Sequence, residues 1–599
     1  MVVSGLTGLF SFDIWRSYVH NKCMTSPEDS TTDPYADLSM ESLEVGPIPV
    51  LRHFFDRLQL NELLEQHVPD KKLGRRAKIS HSHALSLMVS NVLTSREPLY
   101  GVPDWLGRHV PEHFGLSDAQ QASLMNDDRI GRALDRLYEV DPASLMTAVI
   151  VRAVKEFKID LSQIHNDTTT VTFSGGYEGQ QDKEAKKRPP LITFGYNKDH
   201  RPDLKQLVYS LTISSDGAVP IHYKTYDGNT TDDKTHIETW DSVREIAGTS
   251  NFLYVADSKL CTRENMGYIV EQGGTFITVL PRSRREDDTF RMRCQERRVS
   301  WKEVRRTRNP RGKDKPDQVY DAHDPNELTD DGYRIIWYRS SVKRELDEKR
   351  RAKRIARAKM RIENLEERTG AHRFRTIETA QKAAEEVLQD EGAQRWLRVN
   401  ISETTASTFK QERPGRPGKG TKYRKVETPV LLFVVEEIAE VIVADALCDG
   451  LFAMVTNEDV EAMDAAAILE AYKYQPFLEK RNEQLKSVLS VAPIYLHNPK
   501  RVAALLFVYF LAVLVFALIE REARLRMKKL EIESLPLYPE GRACKAPTAD
   551  GILSAFIGLR RNRLIARDGV VVRTFHDPMR PVVAQLLKLL GVGRQAYGA

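Results

Sequence analysis

Between Val502 and Ile519 the chain runs for eighteen residues without a charge, and this segment limits the possible folds more than any other. As a helix it would be roughly 27 Å long, close to the thickness of a bilayer core. The same stretch suits the central helix of a large α/β core, buried on all sides. Lys500 and Arg501 precede it, Glu520, Arg521 and Glu522 follow it, and no second segment of this kind occurs. A lone span between two large polar regions fits the rest of the chain poorly. The segment is therefore expected to be a buried helix, with no membrane association.

At 599 residues the chain exceeds what one hydrophobic core organises, so several domains are expected. Its net charge of +5 is the difference between 89 basic and 84 acidic residues, so the clustering of basic residues matters more than their sum. Cys23, Cys261, Cys294, Cys448 and Cys544 lie far apart with no CxxC pair, which argues against a disulfide framework and a structural zinc. With no recognisable secretory signal near the start, a reducing, cytoplasmic setting is expected.

Residues 1–45, with Ser, Thr, Asp and Pro concentrated at 25–39, read as a poorly ordered extension, and Met40 is an alternative start of translation. Residues 46–155 read as helical, because LRHFFDRLQLNELLEQHV, HALSLMVSNVLT and RIGRALDRLYEV carry apolar residues at helical spacing. The basic run KKLGRRAK at 71–78 is as compatible with a solvated loop as with an anion-binding patch.

From 162 the pattern changes to strands rich in Thr, Val and Phe. IHNDTTTVTF, then Leu207 to Ser214 and Pro220 to Tyr226 around the turn Ser215-Asp216-Gly217, precede a helix, a strand ending at Asp257, a second helix and the strand Phe276 to Leu280. The order is β-β-β-α-β-α-β, assigned to the first part of an α/β core at 156–281. Residues 282–311 then hold twelve Arg or Lys against five acids, and 343–359 hold nine basic residues in seventeen on a helix. With RPGRPGKGTKYRK at 413–425 and several strand-like pieces, 282–450 reads as a basic insertion, part β and part helix. Three positive stripes in one insertion point to phosphate contact. The core resumes at 451–522, with a long helical region at 462–490, and a basic C-terminal region covers 523–599.

Asp167 lies mid-strand, where a charge is disfavoured, and Asp257 ends an apolar strand. Adjacent strands of one sheet would bring them together, although a single Asp at a strand end is more often a turn or helix cap. On a continuous helix Tyr472, Gln475, Glu479 and Lys486 share one face, and Pro476 is expected to start or kink that helix. Carboxylates converging in an open site suit hard divalent cations, and phosphodiester cleavage employs two of these roughly 3.5–4 Å apart.

The spacing Tyr472-x2-Gln475-x3-Glu479-x6-Lys486 resembles the Y-x2-R-x3-E-x6-K signature of bacterial insertion-sequence transposases of the IS-four superfamily. Gly195-Tyr-Asn-Lys-Asp-His-Arg-Pro-Asp-Leu-Lys-Gln206, and Asp216-Gly217 followed by Gly228-Asn229, are similar to stretches of its 1634-like group. The resemblance spans about 46–530. It implies an RNase H-like (integrase-like) mixed-sheet catalytic core with a β-rich insertion, preceded by a helical N-terminal domain that binds DNA ends. It implies a DDE transposase in which Asp167, Asp257 and Glu479 are the catalytic and metal-binding triad for two Mg²⁺ ions, with Mn²⁺ as a substitute. Tyr472, Gln475 and Lys486 match DNA-contacting positions, with Gln475 standing where the family has Arg and so lacking a cationic phosphate fork. The implied partners are double-stranded DNA, as element ends and target, and a second copy of the chain in the DNA complex. The implied location is the cytoplasm, at the bacterial nucleoid.

Trp301 and Trp337 are candidates for stacking on an unpaired base, against the ordinary use of tryptophan as packing. His165 and His200 are left out of the site, since hard-metal phosphoryl transfer needs no histidine. Two rival readings of the same residues are a structure-selective DNA nuclease and a catalytically decayed DNA-binding relic.

Overall fold

The computed structural model describes residues 38–598 apart from 71–78, 118–121, 141, 176, 178–187, 310–311, 313–314, 368–373, 375 and 490–495. The basic run at 71–78 and Cys23 lie outside the described residues. The chain enters on a strand, β1 (Leu38–Glu44), which pairs antiparallel with residues 560–566 near the opposite terminus. Ser42 Oγ donates to Asn562 Oδ1 at 2.8 Å across this ladder. Residues 38–44 are therefore structured by a remote partner and do not belong to a disordered extension.

Six α-helices follow among the described residues: α1 (Ile48–Leu58), α2 (Leu60–His67), α3 (His81–Leu93), α4 (Val102–Gly107), α5 (Asp127–Glu139) and α6 (Pro142–Phe157). Ser80 and Asn126 cap α3 and α5, each accepting a backbone N–H of the first turn. The helical reading of 46–155 holds over this region.

The next segment runs β2 (Gln163–Phe173), β3 (Lys205–Ser214), β4 (Pro220–Tyr226), α7 (His236–Ala247), β5 (Leu253–Val255), α8 (Arg263–Glu271) and β6 (Thr275–Val279), the order read from the sequence. Gly217 and Ala218 turn the β3–β4 hairpin at φ +79° and +54°. A Cβ on Gly217 would also meet Arg521 Cγ at 2.7 Å, so no side chain fits there.

The next segment departs from the expected insertion. After α9 (Arg285–Gln295), the strands β7 (Lys302–Thr307), β8 (Gln318–Leu328) and β9 (Arg334–Ser340) extend the main sheet and form no domain of their own. The inserted module is α10 (Ser341–Glu367), α11 (Ile377–Glu391), the two-stranded sheet β10 (Leu397–Gln411) and β11 (Tyr423–Glu437), and α12 (Ala439–Ala446). It has a separate small core that includes Ile355, Ala358, Ile362, Ala384, Val387 and Phe433. The strand β12 (Leu451–Thr456) then pairs with both β6 and β9. The result is one nine-stranded mixed sheet in the order β4-β3-β2-β5-β6-β12-β9-β8-β7, parallel at β2–β5 and β5–β6 and antiparallel elsewhere.

The helical region at 462–490 is also divided. The helix α13 (Ala465–Tyr472) ends before α14 (Gln475–Glu483), and a π-turn covers Gln484–Val488. Pro476, at the second position of α14, has no N–H to extend α13 and is well tolerated in a first turn. Tyr472 and Glu479 thus sit on two helices and share no single helical face.

The uncharged segment lies in α15 (Pro499–Lys529), the one helix among the described residues long and apolar enough to cross a membrane. Its most apolar eighteen-residue window is 89% buried inside the protein. It packs on α3, α5 and β4, and is covered further by α16 (Ala549–Ser554). After β13 (Arg560–Ala566) and β14 (Val571–His576), α17 (Pro581–Leu590) adds a last covering layer. Each Leu, Val or Phe enclosed along α15 contributes about 1.5–3 kcal/mol. The charges that end the apolar run are spent inside the protein. Glu520 pairs with Arg481 at 2.8 Å, Arg521 Nε with Asp216 at 3.0 Å, and Glu522 with Arg57 at 3.2 Å.

Candidate active site

The alternation of β2 carries Gln163, His165 and Asp167 to one face of the sheet. On that face Gln163 donates to the Ala471 carbonyl at 3.3 Å and to His165 Nε2 at 2.8 Å. This makes Nε2 the acceptor of a neutral imidazole, and Nδ1–H donates to Gln475 Oε1 at 2.9 Å. Burial holds the His165 pKa down at about 4, so the ring stays neutral at physiological pH. Gln475 Nε2 donates in turn to the Asn166 carbonyl at 3.1 Å. Both ends of the Gln475 amide are therefore spent on β2, and the residue is buried. It holds α14 against the sheet and is not available to DNA, which corrects the role implied by the resemblance.

The last paired rung between the parallel strands β2 and β5 joins His165 to Val255. Asp167 and Asp257 each lie two residues beyond it, on strands about 4.8 Å apart. Asp257 Oδ1 accepts the Lys259 N–H at 2.9 Å, and its carbonyl accepts Thr278 Oγ1 at 2.6 Å, which anchors it to β6. Asp257 thus makes the turn contact expected of a strand-end Asp and still faces Asp167 electrostatically. Burial pushes the Asp167 carboxyl up to about 6, the nearby charges of Asp257 and Asp232 add to this, and Lys198 opposes it.

Lys198 is the group that sequence reasoning missed. Its Nζ donates to the Thr168 carbonyl at 2.6 Å and to Thr168 Oγ1 at 2.8 Å. It lies 3.1 Å from Asp232 Oδ2 and 3.6 Å from Asp167 Oδ1. Burial alone would lower its pKa, but Asp167 and Asp232 win and raise it. The stretch from Gly195 to Gln206, singled out above without a role for any residue, is what places this lysine. Gln206 Nε2 donates to Gly228 O at 2.7 Å, and a Cβ on Gly195 would meet the same oxygen at 2.0 Å. A Cβ on Gly228 would meet Gln206 O, also at 2.0 Å. The two glycines permit a backbone crossing that the glutamine ties together, and the loop carrying Lys198 leaves from it.

Glu479 lies exposed on α14, one turn after Gln475. The half-buried Tyr472 links the groups electrostatically: burial raises its pKa, and Asp257, Glu479 and Asp167 add to the shift. Among the described residues, no three His, Cys, Asp or Glu side chains stand close enough together to hold a metal ion. Glu479 therefore stands outside ligating contact with the two aspartates.

Three further expected roles change. Lys486 Nζ pairs with both oxygens of Asp199, at 2.8 and 2.9 Å, and ties the π-turn to the lysine-bearing loop. Trp337 is 1% exposed and stacked on Phe290, with ring centroids 3.8 Å apart, so no face is left for a base. Trp301 packs edge-on to Phe290 at 6.2 Å and carries the Arg339 guanidinium over its ring at 4.9 Å.

Residues 40–151 match the profile of a family described as a domain of unknown function, DUF4277. Among solved structures, the cryo-EM structure of piggyBac transposase synaptic complex with hairpin DNA is similar at 12% identity and a TM-score of 0.26. That overlay covers 47% of this chain and 59% of the other, and at this level it carries no argument. No curated protein matches the sequence.

Proposed function

We propose that the chain is a DNA transposase with an RNase H-like core, which binds the ends of an insertion element and carries out metal-dependent strand cleavage and strand transfer. The observation that carries this reading is the placement of Asp167 and Asp257 side by side past the last rung of two parallel strands, with Glu479 on the helix that Gln475 fastens to the same strand. Neighbouring carboxylates on adjacent strands are a poor stability device, because each raises the cost of ionising the other. They make sense as ligands for a cation. The cleft already attracts one, since the Lys198 ammonium rests between Asp167 and Asp232.

The donor set, all hard oxygens, fits Mg²⁺ or Mn²⁺, with Asp167, Asp257 and Glu479 as the residues that would hold it. When bound, such ions stabilise charge on the attacking and leaving oxygens of an in-line displacement at phosphorus. The chain's own part is to keep Asp167 and Asp257 in register, to present Glu479 from a helix tethered at His165, and to supply cationic residues for the DNA backbone. The resemblance in the motif residues adds a homodimer that processes two element ends together. The decisive test combines the protein with the DNA flanking its own gene and Mg²⁺. Cleavage at the 3′ ends followed by joined products supports the transposase. Nicks without joining would make it a nuclease, and binding without cleavage would make it a relic.

A further inference from the structure

The cysteines are scattered along the sequence, yet the fold brings two of them together. Cys294 lies in the last turn of α9, and Cys448 lies in the turn between α12 and β12, where the inserted module ends. The Cys448 thiol donates to the Arg291 carbonyl at 3.6 Å, three residues before Cys294 on the same helix. Side chains on a helix lean toward its N-terminus, so the Cys294 sulfur stands over that same turn. The two thiols hydrogen-bond to each other, and both residues are buried in one core. Beside them Gln295 Nε2 donates to Asp445 Oδ1 at 3.4 Å, which holds the end of α9 against α12.

The two thiols differ in their surroundings. Cys448 lines a cavity of about 560 Å³ that opens to solvent, and Cys294 does not. Six arginines and four aspartates share the wall of that cavity, an excess of positive charge that favours a thiolate over a thiol. The hydrogen bond from Cys294 holds the Cys448 thiol below its ordinary range, burial opposes this, and Arg291 supports it. The same hydrogen bond, with burial, pushes the Cys294 thiol up. The pair thus has the asymmetry of an attacking and a resolving cysteine. Cys261 offers a contrast, since burial pushes its thiol up to about 12.

We propose that Cys294 and Cys448 form a reversible disulfide, in which Cys448 reacts with hydrogen peroxide in the cavity and Cys294 resolves the product. The Cys448 thiolate attacks one peroxide oxygen. An S–O bond forms, the O–O bond breaks, and hydroxide leaves and takes up the proton that Cys448 released. The Cys294 sulfur then attacks the Cys448 sulfur. The S–S bond forms, the S–O bond breaks, and the oxygen departs as a second water with the Cys294 proton. Two thiols are oxidised and one peroxide is reduced, and two equivalents of a small thiol reverse the change. The bond fastens the end of the inserted module to α9. In a reducing setting such a disulfide is transient and serves as a sensor. The inference goes beyond the transposase reading and stands whether or not the chain cuts DNA.

The test treats the reduced full chain with hydrogen peroxide and maps its peptides without reduction. The expected result is a cross-linked pair containing Cys294 and Cys448, which dithiothreitol separates. Cys294→Ser should form no such pair and should leave Cys448 as a sulfenic acid that dimedone traps. Cys448→Ser should slow the oxidation of Cys294 by about tenfold or more, because its thiol is raised and does not face the cavity. Oxidation should raise the urea midpoint of the parent and leave that of Cys294→Ser where it was, since the cross-link restricts only the parent's unfolded chain. Should a variant fail to fold, the peptide map of the parent alone decides the pairing. Both thiols intact at a peroxide concentration that oxidises free cysteine in the same tube would overturn the proposal. So would a cross-link from either residue to a different cysteine. A Cys294–Cys448 cross-link with an unchanged midpoint would overturn the fastening of the module.

Discussion

Gln475 Oε1 lies 2.9 Å from Nδ1 of His165, and this one contact fixes where the helix bearing Glu479 stands over the strand bearing Asp167. The amide suits the place because it accepts from the imidazole and donates to the Asn166 carbonyl at the same time. An arginine, which the motif resemblance would put here, has no acceptor to offer the imidazole N–H. Gln475→Arg should therefore destabilise the protein by about 3 kcal/mol or more, through a buried and unpaired cation, without strengthening DNA binding. Denaturant unfolding and DNA affinity, measured on the same variant, check both halves. A gain in DNA affinity at unchanged stability would mean that position 475 does reach the phosphates.

Glu479 and Glu483 are both exposed on α14, yet only Glu479 contributes to the electrostatic environment of Tyr472 beside the aspartates. Glu479→Gln should reduce Mg²⁺-dependent cleavage by about a thousandfold or more, in the range seen when one charge-stabilising group is removed from an active site. Glu483→Gln should cost no more than about twofold. Single-turnover cleavage of an end substrate separates the two, and a reversed ranking would move the third ligand one turn along the helix.

The raised pKa of Asp167 has a definite sign in stability. The group titrates near 6 when folded, against 3.8 for the free side chain, so the folded chain holds more protons between those values. Stability is lost as pH rises through that window, and the full cost is present above it. Asp167→Asn should stabilise the metal-free protein by about 2 kcal/mol at pH 8 and by nothing measurable below pH 3.8, as read from denaturation midpoints. The same variant should abolish cleavage. At limiting Mg²⁺ the parent's cleavage rate should rise with pH through about 6, since ligation needs the carboxylate.

Arg481 and Glu520 form an ion pair with both side chains 3% exposed. The arginine also donates to the Ala218 and Gly217 carbonyls at 2.9 and 3.1 Å, and the glutamate accepts the Ala549 N–H at 3.0 Å. Removing one partner leaves the other charge buried, so Arg481→Met should cost about 3–5 kcal/mol. Arg481→Met/Glu520→Met should recover part of that loss. A double variant no more stable than the single one would show that the carbonyl contacts outweigh the charge pair.

The parts of this architecture that could be read from the sequence are those set by short-range pattern. The β-branched run of β2, the glycine turn of the β3–β4 hairpin and the break at Pro476 follow from local sterics. The placement of Asp167 within a strand and of Asp257 at the end of one came from the same source. Strand partners did not, because alternation reveals a strand and is silent about its neighbour. Nothing within Leu38–Glu44 points to residues 560–566, and nothing in RIIWYRS says that it joins the main sheet through β12. Lys198 was hidden for a related reason. Its part depends on two glycines and a glutamine that meet only after β3 is laid down. Trp337 was ambiguous because the sequence gives aromatic character and leaves open which atoms enclose the ring.

The module α10–α12 leaves the sheet after Ser340 and returns at Gly450, and the backbone N–H of Ser340 donates to the Gly450 carbonyl at 3.1 Å. Its entry and exit are thus a single hydrogen bond apart, like the two wires of a plug. A chain lacking the module would need only a tight turn between β9 and β12 to keep all nine strands in place. Material of almost any length and composition can accumulate at such a junction without disturbing the register of Asp167 and Asp257. The basic module is therefore a replaceable attachment, free to change while the carboxylates stay where they are.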